Sequence, residues 1–471
     1  MAKKPNIVFF FTDDQRFDTI RALGNDQVLT PNMDRLVERG TTFTHAHIPG
    51  GSVQAVCMPS RAMLHTGRTL FHIDGAGERI SPDHTTMGEA LGGNGYKTFG
   101  IGKWHNGGES FNRGFQGGDE IFLGGMCDHW NVPAFRYDPS GRYDATLPMC
   151  TNPARSNNVL QRRCDHVIAG KHSTELIGDA AVEFLSRYRD DAPFFLYVSF
   201  LAPHDPRVMP KRYRDLYDPN TVHLPDNFMD AHPFDNGELR VRDEMLAGFP
   251  RTPEEIREHI ADYYAMISHL DAEIGRVIQV LEEQGRMDNT LIVLAGDNGL
   301  ALGRHGLMGK QNCYDHSVRV PLVFSGPGIP ANRRTDALVY LLDIFPTLCE
   351  LADIKIPSSV EGESLANAMS NTRARVRETL YLAYSDKHRA VRDRRHKLIE
   401  YVVNSRHAMT QLFDLENDPL ELENLAENPT YASKVAELRA EMTRYRQAWD
   451  DQDSEWGRRF WNVCKWQDTA T

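Results

Sequence analysis

Short apolar runs alternate along this chain with longer segments whose apolar residues recur at helical spacing. The runs, which are typical of buried strands, cover residues 6–11, 97–101, 194–200 and 291–294. Helical spacing covers residues 176–188 and 256–281, and the second segment opens with a capping box and a proline in Thr252-Pro253-Glu254-Glu255. A short helix is also predicted after Thr30, which can cap it, because Pro31 suits a first turn and Gly40 can end it. This alternation predicts an α/β fold in which a large mixed, mostly parallel sheet is flanked by helices.

The pattern changes past about residue 353. A connector at residues 357–359 precedes strand candidates at 380–383, 398–402 and 411–413 and an amphipathic helix at 432–449. We therefore predict an α/β domain at residues 1–370 and a small α+β domain, with antiparallel strands and a helix, at residues 371–471. Residues 106–163 are rich in Gly, Asp, Arg and aromatic residues and show little periodicity, so we expect long loops over a site there.

Composition and charge narrow the classes of protein that remain. Hydrophobic residues make up 41% and charged residues 25%, which are globular proportions. A formal charge of −12 argues against a nucleic-acid partner. The longest apolar run, residues 194–202, is far below the ~20 residues that cross a bilayer. No secretory signal is visible, so the sequence as written predicts a cytoplasmic protein, or a periplasmic or secreted one if a leader has been removed.

Polar side chains follow directly after several predicted strands. They are Asp13 and Asp14, Lys103 and His105, His204, and Asp297 and Asn298. Ligands in open α/β sheets bind at the carboxyl ends of strands, and carboxylate and amide oxygens suit a hard cation such as Ca²⁺ or Mg²⁺. The basic residues, with Lys310, could bind an anion beside it. An Asp after a strand is often just a cap or turn residue, but several such groups at one edge favour a site.

The most specific motif covers residues 57–68, Cys-Met-Pro-Ser-Arg-Ala-Met-Leu-His-Thr-Gly-Arg. Pro59 suits a first helical turn, so Cys57 is expected at a helix amino terminus, where anions are favoured. A lone cysteine can be an inert buried thiol, or a thiolate nucleophile activated by the helix and Arg61. The ordered motif instead resembles the signature of the formylglycine-dependent sulfatases of the alkaline phosphatase superfamily. His65 departs from that signature, where an apolar residue is more usual.

The resemblance to this family extends over nearly the whole chain. Matching blocks occur in their usual order at residues 6–14, 30–40, 100–105, 202–206, 295–299, 309–321 and 411–419. It implies an alkaline-phosphatase-like fold, and a Cys57 that a separate maturation enzyme oxidises to formylglycine. It also implies Ca²⁺, preferred over Mg²⁺, held by Asp13, Asp14, Asp297, Asn298 and the modified Cys57.

The resemblance also implies a role for each remaining motif residue. Arg61 and Lys103 would steady the hydrated aldehyde, and His105 would hydrogen-bond one of its hydroxyls. Lys103 and Lys310 would neutralise sulfate oxygens, and His204 would protonate the departing alcohol. Within residues 106–163 we expect substrate contacts from His129 and Trp130.

The function that this implies is sulfuric ester hydrolysis, with a sulfated carbohydrate as the expected substrate. A phosphonate monoester or phosphodiester hydrolase with the same catalytic group is an alternative, since relatives with this cysteine motif and metal group cleave phosphorus esters. A non-catalytic protein that binds sulfated glycans is a second alternative, but it would have no need of the full set of motif residues. The sulfated position, endo or exo action and the oligomeric state stay open.

Overall fold

The central strands form as the apolar runs predict. A computed structural model describes residues 4–371 and 373–464. Its strands are β1 Asn6–Thr12, β2 Gly40–Phe43, β3 Ala46–His47, β4 Gly50–Gly51, β5 Lys97–Lys103, β6 Gly117–Phe122, β7 Thr146–Cys150, β8 Val159–Arg163, β9 Phe194–Ser199, β10 Thr290–Gly296, β11 Arg319–Val320, β12 Leu322–Ser325, β13 Arg333–Thr335, β14 Val339–Tyr340, β15 Leu380–Tyr384, β16 His388–Arg392, β17 His396–Val403 and β18 Arg406–Asp414. The large sheet has the order β13-β2-β12-β10-β1-β9-β5-β6 and is parallel except where β12 meets β10 and β2.

Helices cover both faces of this sheet. The helices within the described residues are α1 Pro31–Glu38, α2 Cys57–Thr66, α3 Met87–Gly92, α4 Gly108–Gly114, α5 Ser173–Arg187, α6 Lys211–Arg214, α7 Pro253–Glu283, α8 Asp315–Val318, α9 Ile344–Leu351, α10 Ala366–Ser370, α11 Ala432–Ala448 and α12 Glu455–Val463. Because successive strand residues face opposite sides, Phe9 and Phe11 pack with α2, α3 and α9, while Val8 and Phe10 pack with α1, α5 and α7. The predicted α/β architecture is confirmed.

A second, smaller sheet lies towards the carboxyl end of the chain. Strands β15 to β18 form antiparallel neighbours, and the two-residue strand β4 extends this sheet in parallel with β15. Leu398 and Leu412 pack on α11 and α12, and Ile399 and Phe413 on the opposite face join the main core. The predicted small α+β unit is present. It also contains strand β16 and helix α12, which the pattern did not indicate. Its boundary at residue 370 stays a prediction.

The expectation of long loops over residues 106–163 needs correction. Helix α4 and strand β6 lie in this segment, and β6 pairs in parallel with β5 to add the eighth strand of the main sheet. Strands β7 and β8 form a separate antiparallel hairpin whose residues are mostly exposed. Glycines at the start of β6 and the short elements on either side hide the periodicity that a longer strand would show. Within the described residues, no helix is long and apolar enough to cross a membrane.

Candidate active site

Two neighbouring strands bring four predicted metal ligands together. β1 and β10 run in parallel with Thr12 opposite Gly296, so the residues that follow each strand meet at one sheet edge. The backbone N–H of Asp14 donates to Asp297 Oδ1 at 3.0 Å, and Asn298 Nδ2 donates to Asp14 Oδ1 at 2.7 Å. All four side chains are buried, with Asp13 and Asp14 1% exposed and Asp297 and Asn298 fully enclosed.

Cys57 is the first residue of α2 and faces this carboxylate group. Ligand atoms of Asp13, Cys57 and Asp297 all lie within 4.8 Å of one another. The Cys57 Sγ is 3.5 Å from Lys103 Nζ and 3.5 Å from His105 Nδ1, both delivered by the end of β5. Gly102 precedes them at a φ of +83°, and a Cβ there would lie 2.0 Å from the Ser199 carbonyl oxygen of β9. Burial raises the pKa of the Cys57 thiol against the lowering effect of the nearby lysines, so the unmodified side chain is held as a thiol.

Arg61 holds the metal-ligand group in place from one turn further along α2. Its Nε donates to Asp297 Oδ2 at 3.0 Å, and its Nη1 donates to the Lys103 carbonyl at 3.0 Å and to Ser199 Oγ at 2.7 Å. The guanidinium is fully buried, and although burial lowers its pKa, Asp297 and the other neighbouring groups together outweigh this and raise the pKa above the ordinary value. Arg61 therefore links three strand ends by charge-assisted hydrogen bonds.

The donor set fits a hard cation. Asp13 Oδ1 and Asn298 Oδ1 are buried oxygens without a hydrogen-bond partner among the residues that the structure describes, and such oxygens normally find one. Burial and then the neighbouring Asp13 carboxylate raise the pKa of Asp297 to about 6. Burial acts in the same direction on Asp13, but Lys103 and the other basic neighbours together outweigh it and hold the Asp13 pKa below the ordinary value. A divalent cation would satisfy these oxygens and relieve the repulsion between the two carboxylates.

His204 and Lys310 line a cavity of about 240 Å³ together with Cys57 and His105. Lys310 Nζ donates to Asp14 Oδ1. Burial lowers the Lys310 pKa, but Asp14 and the other neighbouring groups together outweigh burial and raise this pKa well above the ordinary value. His204 Nδ1 donates to the Asp205 carbonyl at 2.7 Å, which directs Nε2 towards Asp14 Oδ2 at 3.6 Å. The cavity thus presents a sulfur atom, a lysine ammonium group and an imidazole ring to one ligand.

His129 and Trp130 do not lie where a substrate contact was expected. His129 is 1% exposed, its Nε2 donates to the His204 carbonyl at 2.9 Å, and its Nδ1 accepts from Ser173 Oγ at 2.6 Å. Both ring nitrogens are hydrogen-bonded within the protein, so His129 supports the loop that carries His204. Trp130 packs edge-on against His172, with ring centroids 5.0 Å apart, and neither ring lines the cavity around Cys57.

His65, the residue that departs from the motif, is a packing residue. Its ring centroid lies 4.4 Å from that of Trp104 and 4.9 Å from that of Tyr197, and the side chain is 1% exposed. Burial, with a smaller effect of the Arg61 charge, lowers the pKa of His65 to about 3. A neutral ring therefore fills the space behind the site, and its contacts keep it away from the chemistry.

The cavity also has a rim that the sequence did not indicate, lined by Gln54, Met126, Arg242, Asp243 and Gln311. Asp243 Oδ2 accepts from Gln311 Nε2 at 2.7 Å, and Gln311 Oε1 accepts from the backbone N–H of Lys310 at 3.0 Å. Arg242 and Asp243 belong to an irregular segment between β9 and α7, where no periodicity marks them. The one available signal was their run of three consecutive charges with Glu244.

The chain matches two family profiles over most of its length. The profile described as Sulfatase matches residues 5–354, and the profile described as N-sulphoglucosamine sulphohydrolase, C-terminal, matches residues 303–448. The chain belongs to the sulfatase family. Sulfatases are hydrolases that act on sulfuric ester bonds, and the family generally uses a metal ion and a modified cysteine.

Curated and solved relatives of this sulfatase cover nearly all of it. The N-acetylglucosamine-6-O-sulfatase of Bacteroides thetaiotaomicron is 26% identical over 96% of this chain and 88% of its own length. The choline-sulfatase of Rhizobium meliloti is 31% identical over 95% of this chain and 87% of its own. A solved structure in complex with its substrate D-glucosamine-2-N,6-O-disulfate is 25% identical, with a TM-score of 0.77 over 97% of this chain and 99% of that one.

Proposed function

We propose that this sulfatase removes sulfate from a sulfated carbohydrate, using Ca²⁺ and a formylglycine formed from Cys57 by a separate maturation enzyme. The observation that carries the proposal is the arrangement around Cys57 Sγ, where Lys103 and His105 lie at 3.5 Å and His204 and Lys310 line the same cavity. Lysine charges and N–H donors that converge on one point stabilise the singly charged sulfate ester and the negative charge that develops as its ester bond breaks. The N-acetylglucosamine-6-O-sulfatase relative and the glucosamine disulfate complex support a sugar as the alcohol.

The roles of the chain's own residues follow from their positions. Asp13, Asp14, Asp297 and Asn298 would hold Ca²⁺, which when bound supplies positive charge beside the nucleophile. A formylglycine at Cys57 would supply a hydroxyl nucleophile at the place of Sγ, within reach of His105 Nδ1. Lys103 and Lys310 bind sulfate oxygens. Arg61 keeps the metal-ligand carboxylates in position and excludes water from behind them.

His204 supplies the proton that the departing alcohol needs. Its Nδ1–H is fixed on the Asp205 carbonyl, which leaves Nε2 as the atom that faces the cavity. Asp14 Oδ2 lies 3.6 Å from Nε2 and Asp205 Oδ1 lies 3.6 Å from Nδ1, so the ring is held between two carboxylates. Proton transfer from Nε2 to the ester oxygen then releases a neutral alcohol.

There is space for a substrate larger than sulfate. The cavity shares His105 and Gly125 with a neighbouring cleft of about 750 Å³, which is lined by Arg79, Arg142 and Arg163 together with Asp74, Glu78 and Glu109. Pockets of this size accommodate drug-sized ligands, so one or more sugar units fit beside the sulfate. Balanced charges on the cleft wall suit a polar, hydroxyl-rich ligand.

A desulfation screen tests this proposal. Protein that has been co-expressed with a maturation enzyme is assayed for sulfate release from defined sulfated saccharides, with matched phosphate esters and an aryl sulfate in parallel. Release from at least one saccharide, lost in Cys57→Ala, is the expected result. Faster turnover of the phosphate esters, or turnover of the aryl sulfate with none of the saccharides, would contradict it.

A further inference from the structure

Arg242 is held at the mouth of the cavity by two carboxylates from different parts of the chain. Its Nη2 donates to Asp205 Oδ2, and its Nη1 donates to Asp243 Oδ1 at 3.3 Å. The Arg242 side chain is 44% exposed, whereas both aspartates are buried. A guanidinium has five N–H donors, so this anchoring fixes the group and still leaves donors for a ligand in the cavity that it lines.

The residues that follow Arg242 make this rim rigid. Asp243 accepts from Gln311, and Glu244 accepts from the backbone N–H groups of Met308 and Gly309, each at 2.8 Å. Three consecutive side chains thus join the His204 loop to the loop that carries Lys310. Because the rim is tied to the loops that bind the sulfate, a ligand group that contacts Arg242 lies at a defined distance from the ester.

The charges on this rim exclude an anion as the preferred contact. The Arg242 guanidinium is already paired with Asp205 and Asp243, so a second sulfate or a carboxylate of the substrate that reached it would also lie beside two carboxylates. A hydroxyl group has no charge and both accepts and donates hydrogen bonds. It can accept from Arg242 and donate to Asp243, and an anion can use just the first of these groups.

Apolar surface lies beside these polar groups. The Met126 side chain lines the same cavity and is 48% exposed. A few fixed polar groups next to apolar surface are typical of small-molecule sites, and a sugar ring presents hydroxyls at its edge and C–H groups on its face. With about 240 Å³ for the sulfate and its neighbourhood, the group that reaches Arg242 belongs to the ring that carries the ester.

We propose that Arg242 and Asp243 recognise an uncharged hydroxyl next to the sulfated position, so that this sulfatase selects a monosulfated sugar ring over one with a second anionic group there. This inference rests on the proposed function and specifies its substrate. Arg242 is then a specificity-determining residue that touches the alcohol part of the substrate. The sulfate itself is bound by the residues around Cys57.

The test compares matched substrates. Methyl glycosides monosulfated at each position identify the one that is hydrolysed fastest, and its neighbouring hydroxyl is then replaced by hydrogen or by a second sulfate. We expect kcat/KM to fall at least tenfold for both analogues. In Arg242→Met we expect the preference for the hydroxyl over the deoxy substrate to fall to less than threefold. Arg242→Lys keeps the charge but loses the planar guanidinium, so its preference should lie between those of the wild type and Arg242→Met.

The control is Arg240→Met, an exposed arginine two residues away that packs on Phe249 and does not line the cavity, and it keeps the wild-type preference. An equal loss on the hydroxyl and deoxy substrates in Arg242→Met would overturn the inference, because it would show that Arg242 merely positions the His204 loop. Faster hydrolysis of the doubly sulfated analogue by the wild type would also overturn it. If no glycoside releases sulfate, the proposed function fails as well.

Discussion

Ca²⁺ affinity should depend on pH through Asp297. In the metal-free protein, burial and then the Asp13 charge raise the pKa of Asp297 from 3.8 to about 6. A bound divalent cation favours the ionised carboxylate, so below pH 6 the ion must displace a proton. About one eleventh of a group with a pKa of 6 is ionised at pH 5, and almost all of it is ionised at pH 7.5. The dissociation constant for Ca²⁺ should therefore be about tenfold larger at pH 5, which corresponds to about 1.4 kcal/mol of binding free energy.

The same shift acts on stability, and its sign is fixed. The folded metal-free protein binds the Asp297 proton more tightly than the unfolded chain does, so this group lowers the free energy of unfolding as pH rises from about 3.8 to about 6. The full effect is about 3 kcal/mol, since each pKa unit is worth about 1.4 kcal/mol. Asp13 does not interfere in this window, because its lowered pKa places its titration below 3.8.

Calorimetric titration of Ca²⁺ into metal-free protein at pH 5 and pH 7.5 measures the affinity change. Asp297→Asn should lose most of the affinity and also the difference between the two pH values. Asp288→Asn, an exposed acid at the approach to the same strand, should keep both. Equal affinities at the two pH values in the wild type, or full occupancy by zinc in metal analysis, would refute the reasoning.

Three further predictions concern the nucleophile, the acid and the small sheet. Peptide mass spectrometry of active protein should show an aldehyde or its hydrate at Cys57, and full activity with an unmodified thiol would contradict this. His204→Ala should slow hydrolysis of a sugar sulfate about 10²-fold or more but an activated aryl sulfate far less, because nitrophenolate leaves without a proton; equal losses would assign His204 to sulfate binding. Arg389 and Asp451 form a fully buried pair at 2.7 Å, so Arg389→Met should lower the free energy of unfolding by about 3–5 kcal/mol in denaturant titration. Exposed Arg459→Met should not change it, and an equal loss there would contradict the assignment.

Much of the candidate site was predictable because its residues lie at the ends of short elements with a strong hydrophobic pattern. The apolar residues of β1 and β10 are followed at once by Asp13-Asp14 and Asp297-Asn298, and parallel strands bring such ends to one edge. Cys57 begins α2 because Pro59 suits its first turn. Local pattern and the rule for parallel sheets were sufficient to place these groups together.

The rest of the site depends on contacts between residues far apart in the chain. Arg242 meets Asp205 across 37 residues, and Asp243 meets Gln311 across 68, within segments that lack any repeat. For His129, the sequence predicted a substrate contact, because the residue type suits one. In the structure it is buried and hydrogen-bonds the His204 carbonyl, which gives it a supporting role. The residue type tells which chemistry a side chain can perform. In an irregular segment, however, the sequence does not tell in which direction that side chain points.

The sequence by itself determined the layered α/β architecture, the carboxylate group at the strand ends and the place of Cys57 at a helix start. It did so because hydrophobic periodicity and turn chemistry act over a few residues, and because parallel strands align their ends. The tertiary structure alone decided that β6 extends the sheet, that His65 and His129 are packing and supporting residues, and that Arg242 and Asp243 form the rim of the cavity. Those outcomes depend on which distant surfaces pack together, since burial and hydrogen-bond partners come from the whole fold and not from neighbours in the chain.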